Sequence, residues 1–405
     1  MSRRSRIVAG SVLAVVVLVV VVVAVSSSNS PSTSDPAGAV PTGAPPAAST
    51  TVSSGSGVVV AMGHLDDPEN TFYELFDRAP GATAWTLATP PGVADNGGLV
   101  VGPSTTGAVT AGFLPSVDLT FSVLAQRAPA AGDWTPADLP GTLAPVPDAL
   151  ATGSDAGVAA VLVRPTPSVV VAGPGLTGWS RSTSATGLAA VSPSCAVGAL
   201  TAVALPGPGT PVVGAVCGRS STVGLFARSS AGAAVRGWSL LGPVDIPGAS
   251  STRVLRLQAG PAGIVALVEG TGGGATTLTT VWGTAAGPFT RSAPLAVPSG
   301  WQVLGTAVGG GDGRGVTVLL GDETGPGRRA ASLAGPGTGT GTAAVGWSAL
   351  PSPPTGTTAL AALGAEVDAF VPSGSRLTVW STAVGGLAWV RGSSQTVPIQ
   401  YGSSG

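Results

Sequence analysis

At 405 residues the chain is longer than one continuous core usually supports, so it either divides into domains or builds its interior by repetition. Its 18 basic residues, all Arg, nearly balance 19 acids, which excludes an electrostatic nucleic-acid surface. With 62 Gly and 36 Pro, solubility rests on Ser, Thr and backbone polarity, and a weakly charged surface suits a protein tethered to a membrane.

The chain opens with MSRRSR (1–6), followed by nineteen uncharged residues from Ile7 to Val25. At about 1.5 Å per residue such a helix spans a hydrocarbon core of roughly 30 Å. Three arginines precede the run and none follows it within fifty residues, so the positive-inside rule puts the N-terminus in the cytoplasm. The expected arrangement is a basic cytoplasmic tail (1–6), a single-pass transmembrane helix (7–25) and, from Ser26 onward, an extracytoplasmic chain at the cell membrane. A cleaved signal peptide is the competing reading, because Ala24-Val25-Ser26 fits a small-x-small site. The run is longer than a signal core of roughly 7 to 15 residues, which favours retention. The SRRSR opening resembles a twin-arginine signal with Arg6 where a bulky apolar residue belongs. Residues 26–56, rich in Ser, Thr, Pro and Ala, bury too little apolar surface to fold and read as a disordered spacer, open to O-glycosylation.

Beyond the spacer an aromatic residue followed by an apolar residue and proline recurs: Trp85 to Pro90, Trp134 to Pro140, Trp238 to Pro247, Phe289 to Pro298, Trp347 to Pro351 and Trp389 to Pro398. A further copy from Trp179 ends in Leu188. The gaps between terminal positions are 50, 48, 59, 51, 53 and 47 residues, a period of repeat architectures. Short Val-rich runs bounded by Gly, Pro and Ser, at Leu99, Val158, Ser168, Ile264 and Val316, read as strands buried on both faces. No helix is expected after the first thirty residues. The unit Arg253 to Pro298 divides into four strands joined by tight turns, the size of a propeller blade. The expected fold is all-β: a seven-bladed β-propeller of four-stranded antiparallel blades over residues 57–405, the first unit one strand short and completed by a terminal segment. In such an array the aromatic residue wedges between neighbouring sheets, and proline sits where an edge strand leaves pairing.

Cys195 and Cys217 flank a hairpin whose turn is Pro206 to Gly209, which brings the sulfurs nearly opposite. Outside the membrane they are expected to be oxidised together. For catalysis the inventory is thin: one His, two Tyr and no Lys. No zinc-protease, serine-hydrolase or cysteine-histidine metal spacing occurs. The glycines around Gly337 lie between two strands, with no following helix or lysine to make a phosphate loop.

The turns before the aromatic residues, as in RAPGATAW, RSSAGAAVRGW and STAVGGLAW, resemble a degenerate form of the Asp-box (BNR) repeat of sialidase-type propellers, S-x-D-x-G-x-T-W. The aspartate is missing from every copy. The resemblance implies propeller architecture, and the box is a structural turn in that family. Sialidase chemistry would need a tyrosine with an acid partner and an arginine triad; Tyr73 beside Glu74 is the one candidate pair, and strand neighbours point to opposite faces.

The segment Met62 to Arg78 stands apart, with the lone His and five of the 19 acids. It reads either as a solvated loop between two strands or as a polar contact site built from His64, Asp66, Asp67, Glu69 and Tyr73. The oxygen ligands would suit a cation, but their spacing matches no calcium signature, and no metal or cofactor is assigned. The reading of the whole is a non-catalytic, membrane-anchored extracytoplasmic propeller that binds a protein or envelope polymer. A lectin-like carbohydrate binder and a sialidase-like glycoside hydrolase are the alternatives.

Overall fold

The computed structural model describes residues 58–60, 74–78 and most of the chain from 82 to 396. Residues 1–57, 61–73 and 397–405 lie outside the described residues, as do shorter intervals such as 116–123, 138–146, 229–236 and 336–344. The expected cytoplasmic tail, transmembrane helix and spacer therefore fall outside them. Among the described residues no helix is long and apolar enough to cross a membrane.

The strands fall into successive antiparallel sheets. Sheet 1 holds β1 (Val58–Val60), β2 (Glu74–Asp77) and β3 (Thr86–Leu87). Sheet 2 holds β4 (Asp95–Pro103), β5 (Val109–Pro115), β6 (Leu124–Arg127) and β7 (Trp134–Ala137). Sheet 3 holds β8 (Ala149–Thr152), β9 (Val158–Leu162), β10 (Ser168–Gly173) and β11 (Thr177–Ser184). Sheet 4 holds β12 (Ala199–Ala204), β13 (Val212–Val216), β14 (Thr222–Arg228) and β15 (Trp238–Asp245). Sheet 5 holds β16 (Ser251–Gly260), β17 (Gly263–Gly272) and β18 (Ala275–Gly283), its outer edge divided between β19 (Thr290–Arg291) and β20 (Leu295–Val297). Sheet 6 holds β21 (Gln302–Gly309), β22 (Gly315–Gly321), β23 (Arg328–Leu333) and β24 (Ser348–Ala349); sheet 7 holds β25 (Ala359–Leu363), β26 (Glu366–Ser373), β27 (Arg376–Ala383) and β28 (Val390–Thr396).

Each Val-rich run is a strand, and β9 and β22 are buried along almost their whole length, as two-sided packing requires. The expected seven four-stranded blades are corrected to six, because among the described residues sheet 1 has three strands. The expected completion of the first unit by a terminal segment concerns residues outside those described.

Apolar clusters join each sheet to the next. Leu124 packs with Leu150 and Val170 between sheets 2 and 3, Val161 with Val203 between 3 and 4, and Val223 with Val254 between 4 and 5. Leu267 meets Val318 between 5 and 6, and Leu319 meets Leu360 between 6 and 7. The series then returns to its start: Phe76 and Trp85 pack with Phe370 and Leu377 between sheets 7 and 1, and Leu75 with Val101 and Val109 between 1 and 2. The sheets thus form a closed ring, a β-propeller, whose inner strands β4, β8, β12, β16, β21 and β25 lie side by side.

The aromatic wedge takes a specific form. Trp134 Nε1 donates to Ala88 O at 2.6 Å, Trp238 to Ser182 O at 3.3 Å, Trp347 to Ala293 O at 3.0 Å and Trp389 to Pro351 O at 2.9 Å. In every case the indole at the start of an outer strand donates to a backbone carbonyl in or beside the outer strand of the preceding sheet. Phe289 holds the same place in sheet 5; it lies against Gly242 of β15, where a Cβ would come within 3.4 Å of its ring. Trp179 Nε1, by contrast, is buried without a partner.

One helix is not foreshadowed by the sequence pattern: α1, Ala185–Val191, in the link from β11 to β12. It is seven residues long, too short for a periodicity to register, and starts where Ser184 Oγ accepts from Gly187 N at 3.1 Å. Leu188, the apolar end of the irregular repeat, is fully buried on it.

Replacing Trp238 by Phe removes one bridging hydrogen bond and is expected to destabilise the protein by about 1 kcal/mol, whereas Trp179→Phe should be close to neutral. Urea titrations of both variants would check the contrast.

Candidate functional site

Antiparallel alternation gives the ring two unlike ends. One carries the turns between first and second and between third and fourth strands. The other carries the second-to-third turns and the links from each outer strand to the next inner strand.

The first end is stitched by side chains that cross between sheets. Gln126 of β6 donates to Ala156 O at 2.8 Å and accepts from Gly175 N at 2.8 Å, tying sheet 2 to sheet 3. Thr152 of β8 reaches back to Gly102 O of β4. At sheet 1 the stitches are ionic. Asp77 and Arg78, adjacent at the end of β2, point to opposite sides as strand neighbours must. Asp77 pairs with Arg127 of sheet 2. Arg78 Nη1 lies 2.7 Å from Asp368 Oδ2 and 2.8 Å from Glu366 Oε1 of sheet 7.

Asp368 is fully buried and accepts two further hydrogen bonds, from Trp85 Nε1 at 2.8 Å and Ser381 Oγ at 2.6 Å. Burial pushes its pKa up to about 6 against the donors Ser381 and Trp85. Burial opposes ionisation of Glu366 most strongly, but the hydrogen bonds with Arg78, Asp368 and Ser381 and the Arg78 charge together outweigh it and hold its carboxyl below the ordinary range. The stack is completed by the Arg78 guanidinium 5.8 Å from the Trp85 ring and by Trp85 edge-on to Phe370 at 5.0 Å. In sheet 2 Arg127 lies 5.5 Å from the Trp134 ring in the same way. The sequence carries a signal for this pair that the aromatic period alone does not expose: Arg-Ala-Pro followed by Trp seven residues after the Arg, at Arg78 and again at Arg127. Asp368 itself has no such signal, since its role comes from a sheet 283 residues away from Trp85. With no exposed surface, this carboxylate is a structural group and not a candidate acid catalyst.

The second end carries the disulfide. Cys195, in the link before β12, and Cys217, in the turn after β13, are joined and nearly fully buried, as expected from the hairpin. Gly224 faces them; a Cβ there would lie 2.8 Å from Cys195 Sγ and 3.1 Å from Cys217 Sγ, so no larger residue fits without displacement. In the turn before β23, Arg328 Nη1 holds three carbonyls of its own loop, those of Asp322, Gly325 and Gly327, at 2.9, 2.6 and 2.9 Å, while Nε reaches Thr357 O of the next link. Desolvation lowers its pKa, with Asp322 acting in the other direction. Nearer the axis, Arg256 of β16 donates from Nε to Thr306 Oγ1 of β21 at 2.8 Å, and burial lowers its pKa to about 10, so it is charged at neutral pH.

The proposed contact residues His64, Asp66, Asp67, Glu69 and Tyr73 all lie outside the described residues. The described chain resumes at Glu74, the first residue of β2. Among the described residues no cluster of three or more His, Cys, Asp or Glu could hold a metal ion.

No protein-family model matches the chain, and no curated protein matches it in sequence. Solved structures do match in fold. A protein from Lactobacillus plantarum superposes with a TM-score of 0.51 at 13% identity, over 85% of this chain and 97% of that one. A candidate 6-phosphogluconolactonase from Bacteroides fragilis gives 0.51 at 12% identity over 85% and 96%. One from Bacteroides uniformis gives 0.50 at 14% identity over 85% and 97%. The likeness is one of fold. It supports propeller architecture, while the Asp-box repeat type finds no matching family.

The seam can be tested in two ways. Arg78→Ala leaves a buried carboxylate without its cation and should destabilise the protein by about 3 to 5 kcal/mol, measured by denaturant unfolding. Because the raised pKa of Asp368 means that the folded state holds this proton more tightly, its contribution is fully present below its ordinary value of 3.8 and is lost as pH rises toward about 6. The pH profile of Asp368→Asn should therefore lack that decline, which a comparison of thermal midpoints across this range with the wild type would reveal. Separately, Cys195→Ala with Cys217→Ala should cost about 3 kcal/mol, the loop-closure value for a bridge of this span.

Proposed function

We propose that this protein is a non-catalytic, extracytoplasmic propeller, anchored by its N-terminal apolar segment, that binds a protein or cell-envelope polymer through the second end of its ring. The observation that carries the reading is the ionic seam of sheet 1, which occupies the first end and leaves the second to the links between sheets. Interlocked ion pairs and hydrogen bonds occupy the first end, where any contact would have to compete with the seam. The link from β11 to β12, which carries α1, belongs to the second. Loops carried on a rigid scaffold are where binding residues concentrate.

The compartment is supported by Cys195 and Cys217, since a structural disulfide persists in an oxidising environment. The anchor is supported by the nineteen-residue apolar run from Ile7 to Val25 and the arginines before it. The absence of lysine and the single histidine of the sequence support binding over catalysis. His64, Asp66, Asp67 and Glu69 are the residues proposed for the contact.

Cross-linking in intact cells, then extraction of the membrane, would test the reading. The wild-type protein should pellet with membranes and cross-link to an extracytoplasmic partner, and the combined alanine variant of these four residues should lose at least ten-fold of that product. A protein recovered in the soluble cytoplasmic fraction with both thiols reactive would overturn the reading.

A further inference from the structure

Among the described residues three large apolar side chains stand exposed, and all three fall within one turn and the first residue of the strand after it. Val384, Leu387 and Val390 are 44, 96 and 68% exposed, between β27 and β28 on the first end of the ring. Single exposed apolar residues are ordinary, but several gathered on one turn mark a contact surface. The turn is tied in place. Gly386 N donates to Ala383 O at 2.8 Å, Thr382 Oγ1 to Ala388 O at 2.9 Å, and Val384 N to Ala365 O of the adjoining turn at 2.8 Å. Gly385, with φ of 79°, takes the left-handed conformation that brings the chain round, and its Cβ position faces open space. Trp389 roots the far side through its bond to Pro351 O. Sheet 3 treats its leucine in the third-to-fourth turn differently: Leu176, three residues before Trp179, is folded into the apolar core with Leu124 and Val170. Leu387, two residues before Trp389, projects instead.

We propose that this tip inserts into the headgroup–acyl boundary of a bilayer bearing anionic lipids, so that the first end of the ring lies against the membrane. Shape and charge select this occupant. A leucine exposed over nearly all its surface belongs to no groove, so a protein partner would have to bring a pocket matched to it, whereas the fluid boundary of a bilayer closes around any projecting apolar side chain. From Ala383 to Thr396 the one charged residue is Arg391, exposed beside Val390, where it meets anionic headgroups. The acid of the adjoining turn, Glu366, is held by Arg78 and leaves that positive charge uncancelled. Trp389, half-buried at the foot of the tip, is of the residue type that membrane interfaces favour. Contact through these side chains uses none of the groups of the ionic seam, and it turns the second end toward solution. The proposal goes beyond anchoring by the N-terminal segment, because it gives the ring a lipid contact of its own, and neither requires the other.

A fluorophore on Leu387→Cys reads the insertion, since Cys195 and Cys217 are tied to each other and stay unlabelled. The full-length protein is reconstituted into mixed phosphatidylethanolamine–phosphatidylglycerol vesicles containing doxyl-labelled lipid. The probe at 387 should be quenched at least about three-fold more strongly than the same probe on Ser251→Cys, an exposed position at the second end, and adding Arg391→Glu should reduce that quenching at least about two-fold. Quenching at 387 no stronger than at 251 would overturn the proposal. Protection of the 387 probe from aqueous iodide without quenching by lipid would give the tip to a protein surface, a second copy included, and would also reject it. Alkaline carbonate reports on the N-terminal anchor separately: release of the protein by carbonate, with lipid quenching at 387 intact at neutral pH, would reject that anchor and support the tip.

Discussion

A ring of sheets is stable only if its first and last members meet, and here that meeting depends on one buried carboxylate. Every other junction in the ring also has an apolar core, whose burial is non-directional and tolerant of small displacements. The junction of sheets 7 and 1 also has an apolar layer, around Phe76, Phe370 and Leu377. Asp368 adds direction: its two oxygens are committed to Arg78, Trp85 and Ser381, so the sheets dock in one register. Burying a carboxylate is expensive unless it is paired and hydrogen-bonded, and both conditions hold. The short strand β2 serves both neighbours, because Asp77 and Arg78 face opposite ways along it.

The indole bridges extend the same logic around the ring. Edge strands leave carbonyls unpaired, and a tryptophan at the start of the next outer strand supplies both the apolar wedge and the missing donor. At sheet 1 the acceptor of that indole is the Asp368 carboxylate instead of a backbone carbonyl. The substitution converts a generic contact into an ionic lock at the one junction whose partners are farthest apart in sequence.

Glycine has a comparable local reason at the disulfide. Gly224 lets β14 pass close to the Cys195 and Cys217 sulfurs, so the bridge is enclosed by sheet 4 rather than left on its surface. This end of the ring combines that fixed point with the links between sheets, which is why the proposed binding role is placed there.

Much of the architecture was legible in local pattern. The boundaries of the Arg253 to Pro298 unit, the Val-rich strands, the cysteine hairpin and the aromatic punctuation all depend on residues near one another in sequence, where strand period and turn chemistry act directly. The seven-residue α1 was not, because its length is below what any periodic signal needs. Nor was the lock: Asp368 looks like any acid in an apolar strand until Trp85 and Arg78 are brought beside it from the other end of the chain. Sequence by itself determined the repeat, its strands and its punctuation, because those arise from interactions within tens of residues. Only the tertiary structure decided how the ring closes and which charges are buried, because desolvation and ion pairing act between residues that chain closure alone makes neighbours.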